Sequence, residues 1–143
     1  KEGRKFKEDL LARLQTLHQT LNKIFEKSPR VVQNYREKLN ARLQELMIED
    51  QIDEERLALE VALFADKCNI DEELVRLNSH FLQFAQNLEE DIAVGRKLDF
   101  LLQEINREVN TIGSKANDLE ITQAVVELKS ELEKIREQVQ NIE

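Results

Sequence analysis

The sequence predicts an all-α fold: elongated helical hairpins or a bundle of about six helices, with a heptad-patterned helix at the C-terminal end. Three observations carry this. Apolar residues recur at three- and four-residue spacing almost from end to end, the period of one helical face. A single proline and three glycines interrupt 143 residues, so few turns are signalled. Aromatic residues make up 5% and charged residues 35%, which suits solvated helices rather than the β-branched and aromatic runs of a sheet. The length fits one domain. Within it, residues 1–52 read as a long basic helical hairpin and residues 53–143 as a helical core.

Each element has its own signal. The first helix runs from near Gly3 to Lys27 on the stripe Phe6, Leu10, Leu14, Leu17, Leu21 and Ile24. Ser28-Pro29 is expected to break it, with Ser28 as N-cap and Pro29 as first residue of a second helix. That helix carries Val32, Tyr35, Leu39, Leu43 and Leu46. "MIEDQID" reads as a loop ending in Asp53, an N-cap for the third helix, "EERLALEVALFADK". Between Leu57 and Ala65 only Glu60 is polar. A helix apolar nearly all round is usually buried on several sides, so this one is placed at the centre. The fourth helix starts at Asp71 as N-cap and buries Leu74, Leu77, Phe81, Phe84 and Leu88. "EDIAVG" connects to a fifth helix from Arg96 to about Ile112, with Gly113 as its C-cap. "SKAND" is a loop, and Asn117 or Asp118 caps the sixth helix. There Ile121, Val125, Leu128, Leu132, Ile135, Val139 and Ile142 step by four and three, a heptad seam. Helices this long leave seams exposed, which favours oligomerisation.

Net charge is −8, made of +5 on residues 1–47 and −13 on residues 48–143. The basic part can meet phosphates and the acidic part can hold divalent cations; the alternative is two solvated faces. No apolar run is long enough to span a membrane, and no apolar signal segment opens the chain. A start at Lys1 rather than Met reads as a fragment of something longer. Cys68 is the one cysteine, so no internal disulfide forms and a reducing compartment is expected. There is no P-loop, dinucleotide fingerprint or zinc-type spacing, so no small-molecule cofactor is expected. His18 reads as a surface residue and Cys68 as a small packed one.

Two polar constellations remain. In "ADKCNIDEELVRLNSH", Glu72, Arg76, His80 and Gln83 share one face of the fourth helix, with Glu73 at its edge. Carboxylates bind hard cations, a guanidinium neutralises phosphate, and a histidine moves a proton, so the set suits a phosphodiester. In "QEINREVNTIGSK", Glu104, Arg107, Glu108, Thr111 and Lys115 fall within one arc of the fifth helix. Glu104 and Glu108 are four apart, where like charges repel unless a cation or an arginine bridges them. The rival reading for both is an acidic helix face with surface ion pairs.

These stretches also carry a resemblance. "VALFADKCNIDEELVRLNSH" and "GRKLDFLLQEINREVNTIGSKANDLEITQAVVELKSELEKIREQVQNIE" closely resemble the C-terminal helical region of the YicC/YloC-like bacterial proteins, densely over residues 59–143 and more loosely before. The resemblance implies a cytoplasmic endoribonuclease that uses a divalent metal, acts on RNA and assembles as a ring-like homo-oligomer, a hexamer, with a further N-terminal half. Asn69 stands where an aspartate is expected, and Ile105 where methionine is usual. Residues carried over by position include Glu73, Arg76, His80, Arg96, Glu104, Arg107, Glu108 and Lys115. In the resulting scheme Glu104 and Glu108, with Glu73, hold a magnesium or manganese ion that activates water. Arg76, Arg96, Arg107 and Lys115 bind RNA phosphates, and Glu104, Glu108 and His80 form the catalytic set. The rival scheme makes this region a non-catalytic oligomerisation module whose seam builds the ring, with the chemistry in the N-terminal half.

Overall fold

A computed structural model describes residues 2–46, 53–89 and 95–141. Among these, five helices form and no strand. They are α1 (Glu2–Leu46), α2 (Glu54–Lys67), α3 (Asp71–Glu89), α4 (Gly95–Lys115) and α5 (Leu119–Asn141). The count is one below the expected six because α1 runs unbroken through Pro29. Proline removes one backbone donor and crowds the carbonyl four residues back. Pro29 sits on the exposed side of α1, while Ile24 and Val31 on either side of it are buried in the same core. Apolar packing on both flanks outweighs the local defect.

The core is one cluster. Leu10, Leu14, Leu17, Leu21 and Ile24 of α1 join Leu74, Leu77, Phe81, Phe84 and Leu88 of α3, together with Leu98, Ile105, Val109 and Ile112 of α4. The heptad positions Ile121, Val125, Leu128, Leu132, Ile135 and Val139 of α5 complete it. The C-terminal seam is therefore filled from within the chain, mainly by α1 and α4, and is not an open oligomerisation face. Ile142 and the connections at 47–52 and 90–94 lie outside the described residues. His18, expected on the surface, is half-buried and edge-on to Phe81, with ring centroids 5.4 Å apart.

Two further expectations change. The apolar α2 is peripheral, not central. Among its residues Leu57 alone is buried; Leu59, Leu63 and Glu60 are exposed. Its contact is with α1, whose second half leaves the core, and Tyr35 stacks on Phe64 with ring centroids 3.7 Å apart and a 7° interplanar angle. α4 does not stop at Gly113; the helix continues to Lys115 and Gly113 has no positive φ. The glycine serves packing instead, since a Cβ there would lie 3.2 Å from Val125 Cγ1. Asp53 caps α2 as expected, accepting from the Glu55 and Arg56 amides at 3.1 and 3.3 Å. Asp118 caps α5, accepting from the Ile121 amide at 3.0 Å. Asp71 lies inside α3, and Asn69 takes the capping role by accepting the Asp71 amide at 3.0 Å.

Pro29→Ala restores a helical hydrogen bond on an exposed face and is expected to raise stability by about 1–3 kcal/mol, read from denaturant melts. A lower midpoint would show that the proline sets a needed bend. Leu132→Asp places a carboxylate in the bundle core and is expected to cost more than about 3 kcal/mol. A well-folded Leu132→Asp chain of lower mass by light scattering would instead return the seam to an intermolecular role.

Candidate functional site

The polar constellations of the fourth and fifth predicted helices meet in a single seam between α3 and α4. Lys115 Nζ lies 2.6 Å from Glu73 Oε1, and Arg76 Nε lies 3.0 Å from Glu108 Oε1. Pairing 73 with 115 and 76 with 108 runs in opposite senses along the two helices, so they are antiparallel. That register carries His80 to the level of Glu104. Each helix turns its leucine, isoleucine or phenylalanine stripe inward, which leaves Glu73, Arg76 and His80 on the edge facing Glu104, Glu108 and Lys115.

The carboxylates lie beneath and the cations above. Side-chain exposure is 4% for Glu73 and 9% for Glu108, against 48% for Arg76, 36% for Lys115 and 73% for Arg107. Arg76 also approaches Glu72 at 3.6 Å and Glu73 at 3.8 Å, so one guanidinium spans three carboxylates. Lys115 donates a second bond, at 3.2 Å, to the Asn69 carbonyl, tying the end of α4 to the turn before α3. Arg107 pairs with Glu104 at 3.8 Å. Burial pushes the Glu73 carboxyl up, but the Lys115 hydrogen bond, a backbone hydrogen bond and the charges of Lys115 and Arg76 outweigh it and hold it below the ordinary glutamate value. The hydrogen bond that Arg76 donates to Glu108 raises the guanidinium pKa and keeps it firmly charged.

Two atoms in the seam are orphaned. Glu73 Oε2 and His80 Nδ1 are buried without a hydrogen-bond partner. A divalent ion would need several oxygens converging on one point. Glu73, Glu104 and Glu108 do not supply that, because Lys115, Arg107 and Arg76 hold them separately. Among the described residues no group of three or more His, Cys, Asp or Glu could hold a metal ion. In this structure each of the three glutamates stands in an ion pair of its own, and the repulsion between Glu104 and Glu108 is relieved by Arg107 and Arg76. Arg96 is also left out. It stands in the first turn of α4, about 28 Å along the helix from Lys115. Asn69 was read only as a departure from aspartate; its carbonyl holds Lys115, and a backbone acceptor leaves no side-chain signal to find. Burial pushes the Cys68 thiol up, in keeping with a packed and unreactive residue.

Residues 24–143, which contain the whole seam, match the profile of the family described as "Endoribonuclease YicC-like, C-terminal". The chain belongs to that family. It is 54% identical over 143 residues to the probable endoribonuclease YicC of Clostridioides difficile, covering 99% of this chain and 49% of that protein. It is 38% identical to the probable endoribonuclease YicC of Haemophilus influenzae, covering 100% of this chain and 49% of that one. The chain thus spans about half the length of these curated relatives. No described helix of this YicC-like chain is long and apolar enough to cross a membrane.

The Glu73–Lys115 pair gives a pH signature. A carboxyl whose folded-state pKa is lowered adds stability that is present above its unfolded value and lost as pH falls through the folded value. Glu73→Gln should therefore cost about 1–3 kcal/mol at neutral pH and progressively less in acid. Melts at both pH values check this. An equal deficit at both would mean that packing, and not charge, holds Glu73 in place.

Proposed function

We propose that this chain is the helical C-terminal part of an endoribonuclease and that the α3–α4 seam is its phosphate-handling surface. The observation that carries the reading is the layering of the seam. Buried Glu73 and Glu108 fix Lys115 and Arg76 in position, and the cations are what an approaching strand meets. Arg76 donates its one short hydrogen bond to Glu108 and approaches Glu72 and Glu73 only at 3.6 and 3.8 Å, so its outer N–H groups can turn to phosphate oxygens with little ordering entropy left to lose. Arg107, exposed and paired with Glu104, adds a third cation.

Cleaving a phosphodiester by in-line displacement builds charge on the phosphoryl oxygens and requires a proton to be moved. Arg76, Arg107 and Lys115 neutralise the first. His80 stands at the Glu104 end of the seam with one ring nitrogen buried and unbonded, and it is the group that handles the proton. The assembly-module alternative loses its main support, because the α5 seam is consumed inside the bundle. A ring-like homo-oligomer, if formed, uses other faces, and the exposed Leu59 and Leu63 of α2 are available to it.

The test is RNA cleavage by the full-length protein, with and without a chelator. His80→Gln is expected to lower the rate by about 10²–10⁴-fold with an unchanged melting temperature, the usual range for losing a proton-transfer group. Arg107→Ala should lower it less, through weaker binding. Wild-type rates in both folded variants would sink this assignment, and the chelator arm reads any divalent-ion requirement separately.

A further inference from the structure

Outside the seam, a groove of ≈820 Å³ lies between the outer half of α1, the end of α2 and the α4–α5 turn. Its floor holds the stacked pair Tyr35 and Phe64. Asn34 and Lys38 flank Tyr35 on α1, and Asn117 faces them from the α4–α5 turn. Lys38 is one turn from Tyr35, so the two are surface neighbours.

The polar groups divide into engaged and idle. Asp118 receives the Ile121 amide and lies 3.7 Å from Lys27, and Glu120 lies 3.7 Å from the same lysine. The acids of the groove are therefore already compensated. Asn34, Asn117 and Lys38 make no hydrogen bond or ion pair among the described residues. The idle set is an aromatic platform, two side-chain amides and one cation. A planar ring extends the stack, the amides each offer a donor and an acceptor to a ring edge, and the ammonium takes an anion. A peptide helix fits poorly, since it would leave both amides and the lysine without partners. The groove also continues the seam, because its wall residues Ala116 and Asn117 directly follow Lys115.

We propose that this groove is a nucleotide-binding subsite for single-stranded RNA, with a base stacked on the Tyr35–Phe64 pair, its edge met by Asn34 or Asn117, and its phosphate on Lys38. The proposal rests on the phosphate-handling role of the seam and extends it: a strand held at Lys115 is gripped a short step further on.

The chain has one tyrosine, so 3-fluorotyrosine gives a single ¹⁹F resonance that reports on Tyr35 alone. Titration with a short oligouridylate is expected to shift that resonance saturably, in step with binding followed by anisotropy of labelled RNA. Lys38→Glu, on an exposed side chain, should weaken oligouridylate binding by roughly tenfold and reduce its salt slope by about one. Asn117→Ala should weaken binding without changing that slope. RNA binding with an unmoved resonance, or undiminished in Lys38→Glu, overturns the subsite while leaving the cleavage reading intact. Uridine monophosphate shifting the resonance as tightly as the oligomer would overturn it in favour of a free-nucleotide site. No RNA binding at all would overturn both.

Discussion

Leu10, Leu14, Leu17, Leu21 and Ile24 lie on one face of α1 at almost zero exposure, and the placement of the other elements follows from covering them. Each such side chain gains about 1.5–3 kcal/mol on leaving water, so a line of five cannot stay bare. α5 and α3 are the elements that close over it, and α4 then packs on both. With those faces committed, the polar edges of α3 and α4 have no freedom. They must meet beside the core, and carboxylates drawn to the margin of an apolar layer must find cations. The ion pairs of the seam follow from this geometry.

The same constraint accounts for much of the charge asymmetry. The basic first helix and the acidic last one are partners: Arg13 reaches Glu131 at 3.1 Å, Lys23 reaches Glu127 at 3.7 Å, and Lys27 reaches Asp118 at 3.7 Å. Such surface contacts contribute little each, a fraction of a kcal/mol in the usual range. They do decide which charges remain for a ligand. In the outer half of α1, Arg30, Arg36 and Lys38 have no ion pair among the described residues, and Lys38 lines the groove.

Periodicity made the stripes legible. Every core position named on the first, fourth and sixth predicted helices is buried where the structure describes it, apart from a half-buried Phe6, because a 3.6-residue period has no other economical use. The breaks were less legible. Proline and glycine signal a helix end only when nothing beyond them rewards continuing; Val31 beyond Pro29 and the Val125 approach at Gly113 supply that reward from residues far away in sequence. The composition of α2 misled because an apolar helix is placed by available surface, and α1, α3, α4 and α5 had already filled the core. At the site, the residues on each helix were legible from their shared arcs. The pairing of Glu73 with Lys115, 42 residues on, was not, because no local spacing relates the two residues.

Arg13 and Glu131 are separated by 118 residues, and the leucine line of α1 is sealed largely by α5. On a ribosome adding about 5–20 residues each second, that line emerges several seconds before its cover. During this interval the early helix is an amphipathic rod with a bare greasy side, and its closure is a long-range event late in synthesis. The ionic side of α1 is then what keeps the nascent chain dispersed. Its lysines and arginines, more numerous than the acids of the same rod, act as solubilising charges, and Arg13 and Lys23 pass to α5 once the bundle shuts.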